Sequence, residues 1–326
     1  MKKILTPHRQ NLPLGVLCGA GAGSLWGLVF LAPELVRSFP PLDLAAGRYL
    51  AYGLIALALV ARRLPVLCRT LRRHDWLVLF WLSFFGNSFY YVMLSMGVQK
   101  GGIALTSLVI GFMPVAVTII GSRDQDSPAF VKLAPSLFFC IVGAFCIGWQ
   151  ALATTSQSPE RAGKDSLIGL ICACAALASW TCFAVGNSRA LSRLDHVSAH
   201  EWSLLTGLVT GAQAIFMLPI AWALDSTRHN AEDWAWFGSV SLGVAVIASV
   251  CGNSLWNRMS RLLPLTLTGQ MILFETLFAL LYGFLWDWRM PRPLEIASFL
   301  AIVVSVLCCV AAHRKPTVQS PDVQTV

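Results

Sequence analysis

Charged residues are scarce in this sequence. Asp, Glu, Lys and Arg together make up 12% of the 326 residues, whereas hydrophobic residues make up 56%. The charges lie almost entirely in short segments between long apolar runs, and no polar segment is long enough to form a soluble domain. A chain of this composition cannot cover a globular surface with charge, so the sequence predicts a polytopic membrane protein.

Sequence features of several other protein classes are missing as well. The six histidines lie in loops or at the ends of apolar runs, so no haem, metal site or histidine proton relay is predicted inside the membrane. No glycine-rich phosphate-binding loop is present for ATP. The ten cysteines lie within apolar runs or near ends predicted to be cytoplasmic, which argues against structural disulfides. We therefore expect no cofactor and no metal ion.

Ten apolar stretches are each long enough to cross a bilayer core, which takes about 20 helical residues. We place them at 14–36, 44–60, 76–97, 103–121, 133–150, 166–188, 201–223, 234–256, 264–286 and 294–313. The second stretch is short, so we expect its helix to begin nearer Leu42. The predicted fold class is an all-α membrane protein with ten transmembrane helices.

The basic residues indicate the orientation of these helices. Of the 24 Lys and Arg residues, 16 lie in the two termini and in every second loop, 7 lie in the alternate loops, and Arg48 lies within a span. The positive-inside rule therefore predicts a cell (inner) membrane protein with both termini in the cytoplasm. The arginine cluster in segment 61–74 is interpreted as a topology signal that can contact membrane lipid, and no nucleic-acid partner is expected.

The sequence contains an internal repeat. Gly86–Met93 in the third span and Gly252–Met259 in the eighth both begin with Gly-Asn-Ser and end in Met. Trp26 and Trp180 form a second matching pair, in the first and sixth spans. Because the matches are five spans apart and five is odd, the two halves enter the membrane from opposite sides. Such an inverted repeat is typical of secondary carriers.

The repeat sets the predicted domain organisation. It divides the chain into a first five-helix repeat (1–150), an outer linker (151–165), a second five-helix repeat (166–313) and a cytoplasmic tail (314–326). In carriers of this architecture, the substrate site lies near the midplane, between the two halves.

Four short motifs carry a family resemblance. They are Ser24–Gly27 in the first span, Leu44–Tyr49 opening the second, Phe112–Val115 in the fourth and Leu273–Thr276 in the ninth. By the order and spacing of these motifs over residues 12–313, the chain resembles the EamA-like branch of the drug/metabolite transporter (DMT) superfamily. The resemblance implies a ten-helix bundle of two inverted halves that moves small metabolites, often outward.

Glu275 is the sharpest candidate for a functional residue. It lies eleven residues from each end of its predicted span, roughly 16 Å deep at 1.5 Å per residue. A charge at that depth is costly, so the side chain must face protein or water. Two interpretations remain open. Glu275 either binds an amine-bearing substrate or carries a coupling proton, or it is a hydrogen-bonded Glu that packs helices together.

Glu34, Arg48 and Pro114 are candidates for gating or coupling. Glu34 and Arg48 lie a turn or two inside the outer surface, on helices joined by a short loop. They can form a salt bridge that fixes the first helix pair, or an outer gate in which Arg48 captures a substrate carboxylate. Pro114 interrupts the hydrogen bonds of its helix, which makes it a hinge or a static kink.

The predicted substrate-binding residues are polar or aromatic side chains in spans of both halves. They are Trp26, Asn87, Tyr90, Tyr91, Ser107, Trp180, Asn253, Trp256, Gln270 and Glu275. The tryptophans can stack on an organic ring or an ammonium group, or can simply pack the bundle. The asparagines can orient substrate, or can hydrogen-bond between helices.

The leading functional hypothesis is a secondary transporter that works by alternating access. We expect a small polar or amphipathic substrate, such as an amino acid, an amine or a related compound, and the resemblance favours an exporter. Transport is driven either by protons through Glu275 or by no coupling ion. The alternatives are an integral-membrane enzyme acting on a lipid-like substrate and a non-transporting membrane sensor. The sequence does not predict an oligomeric state.

Overall fold

The computed structural model describes residues 11–36, 38–123, 129–155, 164–224, 229–286, 288 and 290–313. The side chains of Glu34 and Ser107 lie outside the described part, and so do most of the predicted outer linker (156–163) and the predicted tail (314–326). Every regular element in the described ranges is helical.

The described residues form fourteen α-helices. They are α1 (Leu12–Gly27), α2 (Ala32–Leu35), α3 (Pro41–Val60), α4 (Leu64–Thr70), α5 (Arg73–Ser83), α6 (Phe89–Ile110), α7 (Met113–Gly121), α8 (Phe130–Thr155), α9 (Lys164–Arg193), α10 (Ala199–Leu224), α11 (Ala231–Val244), α12 (Asn253–Leu262), α13 (Leu265–Trp286) and α14 (Pro293–His313). A 3₁₀ turn at Leu28–Leu31 joins α1 to α2.

The helices overlap the predicted apolar stretches, and most of their ends lie within about six residues of the predicted ones, but α6 runs through the predicted boundary between the third and fourth stretches. The second stretch begins at Pro41, close to the expected Leu42. By length and composition, six helical stretches within the described residues can cross a membrane, at 42–60, 73–94, 167–193, 199–223, 231–262 and 293–313. Three shorter apolar helices lie at 12–27, 130–146 and 265–279. The protein is therefore an all-helical membrane protein.

Helix α6 covers the predicted loop 98–102 without a break in helical backbone. The chain nevertheless reverses direction there. In a straight helix, residues nine positions apart are separated by about 13 Å. A Cβ atom on Gly97 would lie 3.2 Å from Oγ1 of Thr106, nine positions later. The parts of α6 before and after this turn are therefore antiparallel neighbours.

Two π-helical segments interrupt the third and eighth predicted spans. The first π segment (Phe84–Ser88) joins α5 to α6, and the second π segment (Ala245–Gly252) joins α11 to α12. The first contains the Gly-Asn-Ser motif of its span, and the second ends at the glycine of its motif. Such segments concentrate at functional sites in other proteins, because the wider turn leaves carbonyl groups available to other partners.

Small residues allow close packing between three helix pairs. Gly19, Gly23 and Gly27 lie on one face of α1 and contact α13, which runs parallel to it. Gly53 of α3 and Gly211 of α10 face one another at the crossing of two antiparallel helices. Helices α8 and α14 also pack antiparallel to one another. Their contact is held by buried serine hydroxyls.

Candidate functional site

Three tryptophans meet in the middle of the bundle. The ring centroids of Trp26 and Trp256 are 5.0 Å apart, those of Trp180 and Trp256 are 5.5 Å apart, and those of Trp26 and Trp180 are 6.5 Å apart. All three rings are buried. The structure thus brings together the predicted pair Trp26 and Trp180, one from each half, and adds Trp256. We call this group the Trp cluster.

The π segments position this cluster through contacts that repeat between the halves. The indole N–H of Trp26 donates to the carbonyl oxygen of Ala248 in the second π segment, at 3.0 Å. The hydroxyl of Ser179, next to Trp180, donates to the carbonyl oxygen of Phe85 in the first π segment, at 2.7 Å. In each case the first long helix of one half donates to the π segment of the other half.

The motif glycines bring these elements into contact. A Cβ atom on Gly252 would lie 2.7 Å from the indole nitrogen of Trp26. A Cβ atom on Gly86 would clash with the ring of Phe183, three residues after Trp180. Real Cβ atoms do not approach other atoms so closely, so only glycine fits at both positions. The repeated glycine therefore sets the distance between each π segment and the aromatic side chain it faces.

The motif asparagines also make equivalent contacts. Asn87 donates its amide N–H to the hydroxyl of Thr210 on α10, at 3.3 Å. Asn253 donates its amide N–H to the hydroxyl of Tyr52 on α3, at 3.4 Å. Each asparagine thus contacts the second long helix of the opposite half. These bonds favour a role in holding helices together, and both amides are half-buried.

Arg48 lies inside the bundle beside the second π segment. Its Nε donates to the hydroxyl of Ser249, at 3.1 Å, and its guanidinium carbon lies 5.3 Å from the ring centroid of Tyr49. That ring in turn makes an edge contact with Tyr91. Arg48 was expected to pair with Glu34, whose side chain lies outside the described part. That pair stays a prediction, and within the described part Arg48 contacts the second π segment and Tyr49.

Glu275 lies within electrostatic range of Arg48 and of Tyr90. Its backbone nitrogen is close to α1, because a Cβ atom on Gly23 would lie only 2.7 Å from it. The carboxylate side chain is half-buried, as are Arg48, Tyr90 and Tyr91. One acidic and one basic side chain thus lie in the same part of the helix bundle. We call this group the polar cluster (Arg48, Tyr49, Tyr90, Tyr91 and Glu275).

Gln270 lies apart from the polar cluster, in a hydrogen-bonded network with no exposure to solvent. Its amide N–H donates to the hydroxyl of Thr118 on α7, at 3.1 Å. Its amide oxygen accepts from Ser305 on α14, at 3.0 Å. Because its amide oxygen and nitrogen both have protein partners, the geometry supports a packing role for Gln270 over substrate contact.

Pro114 lies directly after an interruption of the fourth predicted span. The predicted fourth span is broken at Gly111 and Phe112, and α7 begins at Met113. Pro114 therefore lies in the first turn of a new helix, where its missing N–H costs no helical hydrogen bond. A proline removes a hydrogen bond from the turn that precedes it, so a break at this place agrees with the expected effect of Pro114.

Several interior residues were missed by the sequence analysis. Tyr52 is fully buried and donates its hydroxyl to the carbonyl oxygen of Ser203 at 2.6 Å. Tyr52 follows Arg48 by four residues, so the two side chains lie on one face of α3. This spacing could have identified Tyr52 from the sequence. A third Gly-Asn-Ser tripeptide, Gly186–Ser188 in α9, was also overlooked. Its asparagine accepts from Trp202 and donates to Asn257, each at 2.8 Å.

The chemistry available at this site is binding. Among the described residues, no group of three His, Cys, Asp or Glu side chains is placed to hold a metal ion. The polar cluster offers a guanidinium, a carboxylate and tyrosine hydroxyls, and the adjacent Trp cluster offers aromatic rings. This combination suits a small molecule that carries charge and some apolar surface.

Comparisons with known proteins agree with this description. The model of the EamA-like transporter family matches residues 13–149 and again residues 167–311. The chain is 31% identical over 317 residues to the inner membrane protein YtfF of Escherichia coli (strain K12), which covers 94% of this chain and 98% of that protein.

A solved crystal structure of a protein that is 17% identical has the same fold. The likeness covers 92% of this chain and 99% of that chain, with a TM-score of 0.67. The family match indicates a transporter, which disfavours the membrane-enzyme and sensor alternatives. It also confirms the resemblance found in the sequence motifs. The chain belongs to the EamA-like transporter family and is a multi-pass membrane transporter of the drug/metabolite type.

Proposed function

We propose that this protein is a secondary transporter of small zwitterionic or amine-bearing metabolites, such as amino acids and their derivatives. In this proposal Arg48 contacts the substrate carboxylate and Glu275 contacts the substrate amine. The single observation that carries it is the presence of these two opposite charges, both half-buried and within electrostatic range of one another, inside the helix bundle.

The energetics of buried charge support this role. Ionisable side chains inside a membrane are costly and usually mark a substrate or ion pathway. The Nε of Arg48 donates a hydrogen bond to the hydroxyl of Ser249. The two terminal nitrogens of a guanidinium form the fork that matches a carboxylate. A zwitterion placed between Arg48 and Glu275 would compensate both charges at once, which neither a neutral compound nor a simple anion would do.

The Trp cluster supplies the apolar side of the proposed site. Its indole rings present faces on which a side chain or an ammonium group can pack. The indole N–H of Trp256 is buried and has no hydrogen-bond acceptor in the described part of the chain. An unsatisfied buried donor costs about 1–3 kcal/mol. An acceptor atom on the substrate would recover that cost.

The proposed mechanism is alternating access between two inverted halves of five helices each. The family model matches the chain twice. In addition, α3 packs antiparallel to α10, and α8 packs antiparallel to α14, as equivalent helices of an inverted repeat would do. The distribution of basic residues supports cytoplasmic termini, and YtfF is named as an inner membrane protein. We propose the same membrane, with export as the direction that the family resemblance favours.

The test is transport in proteoliposomes of three matched compounds: an amino acid, the amine that lacks its carboxylate, and the acid that lacks its amine. We expect the wild-type protein to prefer the amino acid. Arg48→Gln should abolish the preference over the amine, and Glu275→Gln should abolish the preference over the acid. A uniform loss for all three compounds in both variants would contradict the assignment. Arg258→Gln is the control, because this exposed arginine on α12 lies outside the polar cluster.

The same measurement tests proton coupling through Glu275. If Glu275 carries the coupling proton, an imposed pH gradient accelerates transport by the wild-type protein and leaves the residual rate of Glu275→Gln unchanged. A variant that still responds to the gradient would exclude this residue as the proton carrier. A wild-type protein that does not respond would indicate uncoupled transport.

A further inference from the structure

A cavity lies at one end of the bundle, away from the polar cluster. Its volume is about 290 Å³, and it opens between the α4–α5 junction of the first half and the α9–α10 junction of the second. The basic-residue pattern predicts this end to be cytoplasmic. Both halves of the chain thus line the cavity, and none of its described lining residues belongs to the polar cluster.

Basic groups dominate the lining of this cavity. Arg72 and His74 contribute from the first half, and Arg193 and His196 contribute from the second. One acidic side chain, Asp75, also lines it. The Oδ2 of Asp75 accepts a hydrogen bond from the backbone N–H of Arg72 at 2.9 Å, so this carboxylate caps α5. The arginines of the two halves therefore both line this cavity, and Asp75, the one carboxylate among its described lining residues, is engaged by the helix end and lies 3.8 Å from Nδ1 of His74.

The floor of the cavity is apolar. Trp202 is fully buried, and its indole N–H donates a hydrogen bond to the amide oxygen of Asn187 at 2.8 Å. Val78 and Leu194 lie beside it. A basic rim above an apolar floor is suited to a ligand that joins a phosphate group to hydrocarbon. The start of α5, an eleven-residue helix, adds the positive end of its dipole to the same rim.

We propose that this cavity binds the phosphate group of an anionic phospholipid, with Arg72 and Arg193 as the principal contacts. Guanidinium groups pair with phosphate through two parallel hydrogen bonds, which favours arginine over lysine at such sites. Because the two arginines belong to different halves, the bound phosphate holds the halves together at this end. The lipid therefore stabilises the arrangement in which the α4–α5 and α9–α10 junctions lie side by side, as in this structure.

The test uses the full-length protein, purified in detergent and titrated with phosphatidylglycerol, phosphatidylcholine or inorganic phosphate while thermal unfolding is followed. We expect phosphatidylglycerol to raise the melting temperature more than phosphatidylcholine does. In the Arg72→Gln/Arg193→Gln variant, the half-maximal concentration of phosphatidylglycerol should rise about tenfold, which corresponds to the loss of about 1.4 kcal/mol of binding free energy. Lys132→Gln is the control, because this exposed lysine at the start of α8 lies outside the cavity.

The arms of the titration separate the possible sources of phosphate. An equal response to inorganic phosphate would overturn the assignment to lipid and identify the free anion as the ligand. An unchanged response of the double variant to phosphatidylglycerol would overturn the site itself. If the double variant does not fold, the two single Arg→Lys variants replace it. Each keeps the charge but loses the guanidinium fork, so each should weaken the response, and a wild-type response in both would refute the proposal.

Discussion

Gln270 shows how burial separates a structural amide from a substrate contact. Its amide joins α13 to α7 and α14 through Thr118 and Ser305, and none of these three side chains is exposed. We predict that Gln270→Ala lowers stability by about 2–5 kcal/mol, because it leaves a cavity and removes two buried hydrogen bonds.

Thermal unfolding of purified Gln270→Ala checks the loss of stability. Transport by the folded fraction checks that Gln270 does not contact the substrate. The preference among the amino acid, the amine and the acid should remain that of the wild-type protein. A variant of normal stability with altered preference would place Gln270 in the substrate site and contradict the packing role.

The sequence could not predict every partner that the structure gives these residues. Trp26 and Trp180 match between the repeats, and they are in contact. The pair of Arg48 with Glu34 stays a prediction, because the side chain of Glu34 lies outside the described part, and the sequence held no sign of the bond from Arg48 to Ser249, 201 positions away. The direction of a side chain around a helix depends on which helices pack against it, and composition alone does not contain that information.

At the scale of elements, the repeated glycine of the Gly-Asn-Ser motifs offers a direct test. We predict that Gly252→Ala lowers stability by about 1–3 kcal/mol, because the added methyl group would overlap the Trp26 indole and break its bond to Ala248. Transport should fall with it, since the indole belongs to the Trp cluster. Thermal unfolding and proteoliposome transport measure the two effects.

Gly243→Ala is the matched control for this prediction. Gly243 lies nearby on α11, and a Cβ atom there would meet nothing within 4 Å. The substitution should therefore be neutral or slightly stabilising, because alanine favours helix over glycine by up to about 1 kcal/mol. Equal effects of the two substitutions would show that the contact with Trp26 does not matter.

Helix boundaries were predictable from hydropathy, but the irregular segments within helices were not. Hydropathy reports how long a segment remains apolar, and it placed the ends of α9, α10 and α14 within a few residues. It is insensitive to the register of backbone hydrogen bonds, so the two π segments left no trace in it, whereas the break before Pro114 was indicated by the proline itself. The π segments bond to partners from the other half, Ser179 and Trp26.

At the scale of the whole molecule, an ion pair joins the two halves at the end predicted to be cytoplasmic. Arg63, at the start of α4, donates its Nε to Glu201 in the first turn of α10 at 3.0 Å. Glu201 also caps its own helix together with Ser198. Substitution of Arg63 therefore removes the ion pair and leaves the helix cap intact, whereas substitution of Glu201 would remove both. Arg63 is thus the better residue to substitute when testing contact between the halves.

We predict that Arg63→Gln shifts the protein towards a form that is open at this end. The arginine side chain is 62% exposed, so the pair is worth only about 0.2–1 kcal/mol. Such an energy changes the ratio of open to closed molecules by at most about fivefold. Distances between spin labels at positions 69 and 192, one in each half, should therefore show a larger open fraction in this variant, and high salt should produce the same shift in the wild-type protein. Arg62→Gln is the control, because Arg62 is the neighbouring exposed arginine, and it should leave the distances unchanged. An equal shift in Arg62→Gln would mean that the net charge at this end controls the closing of the two halves, and that the pair with Glu201 does not.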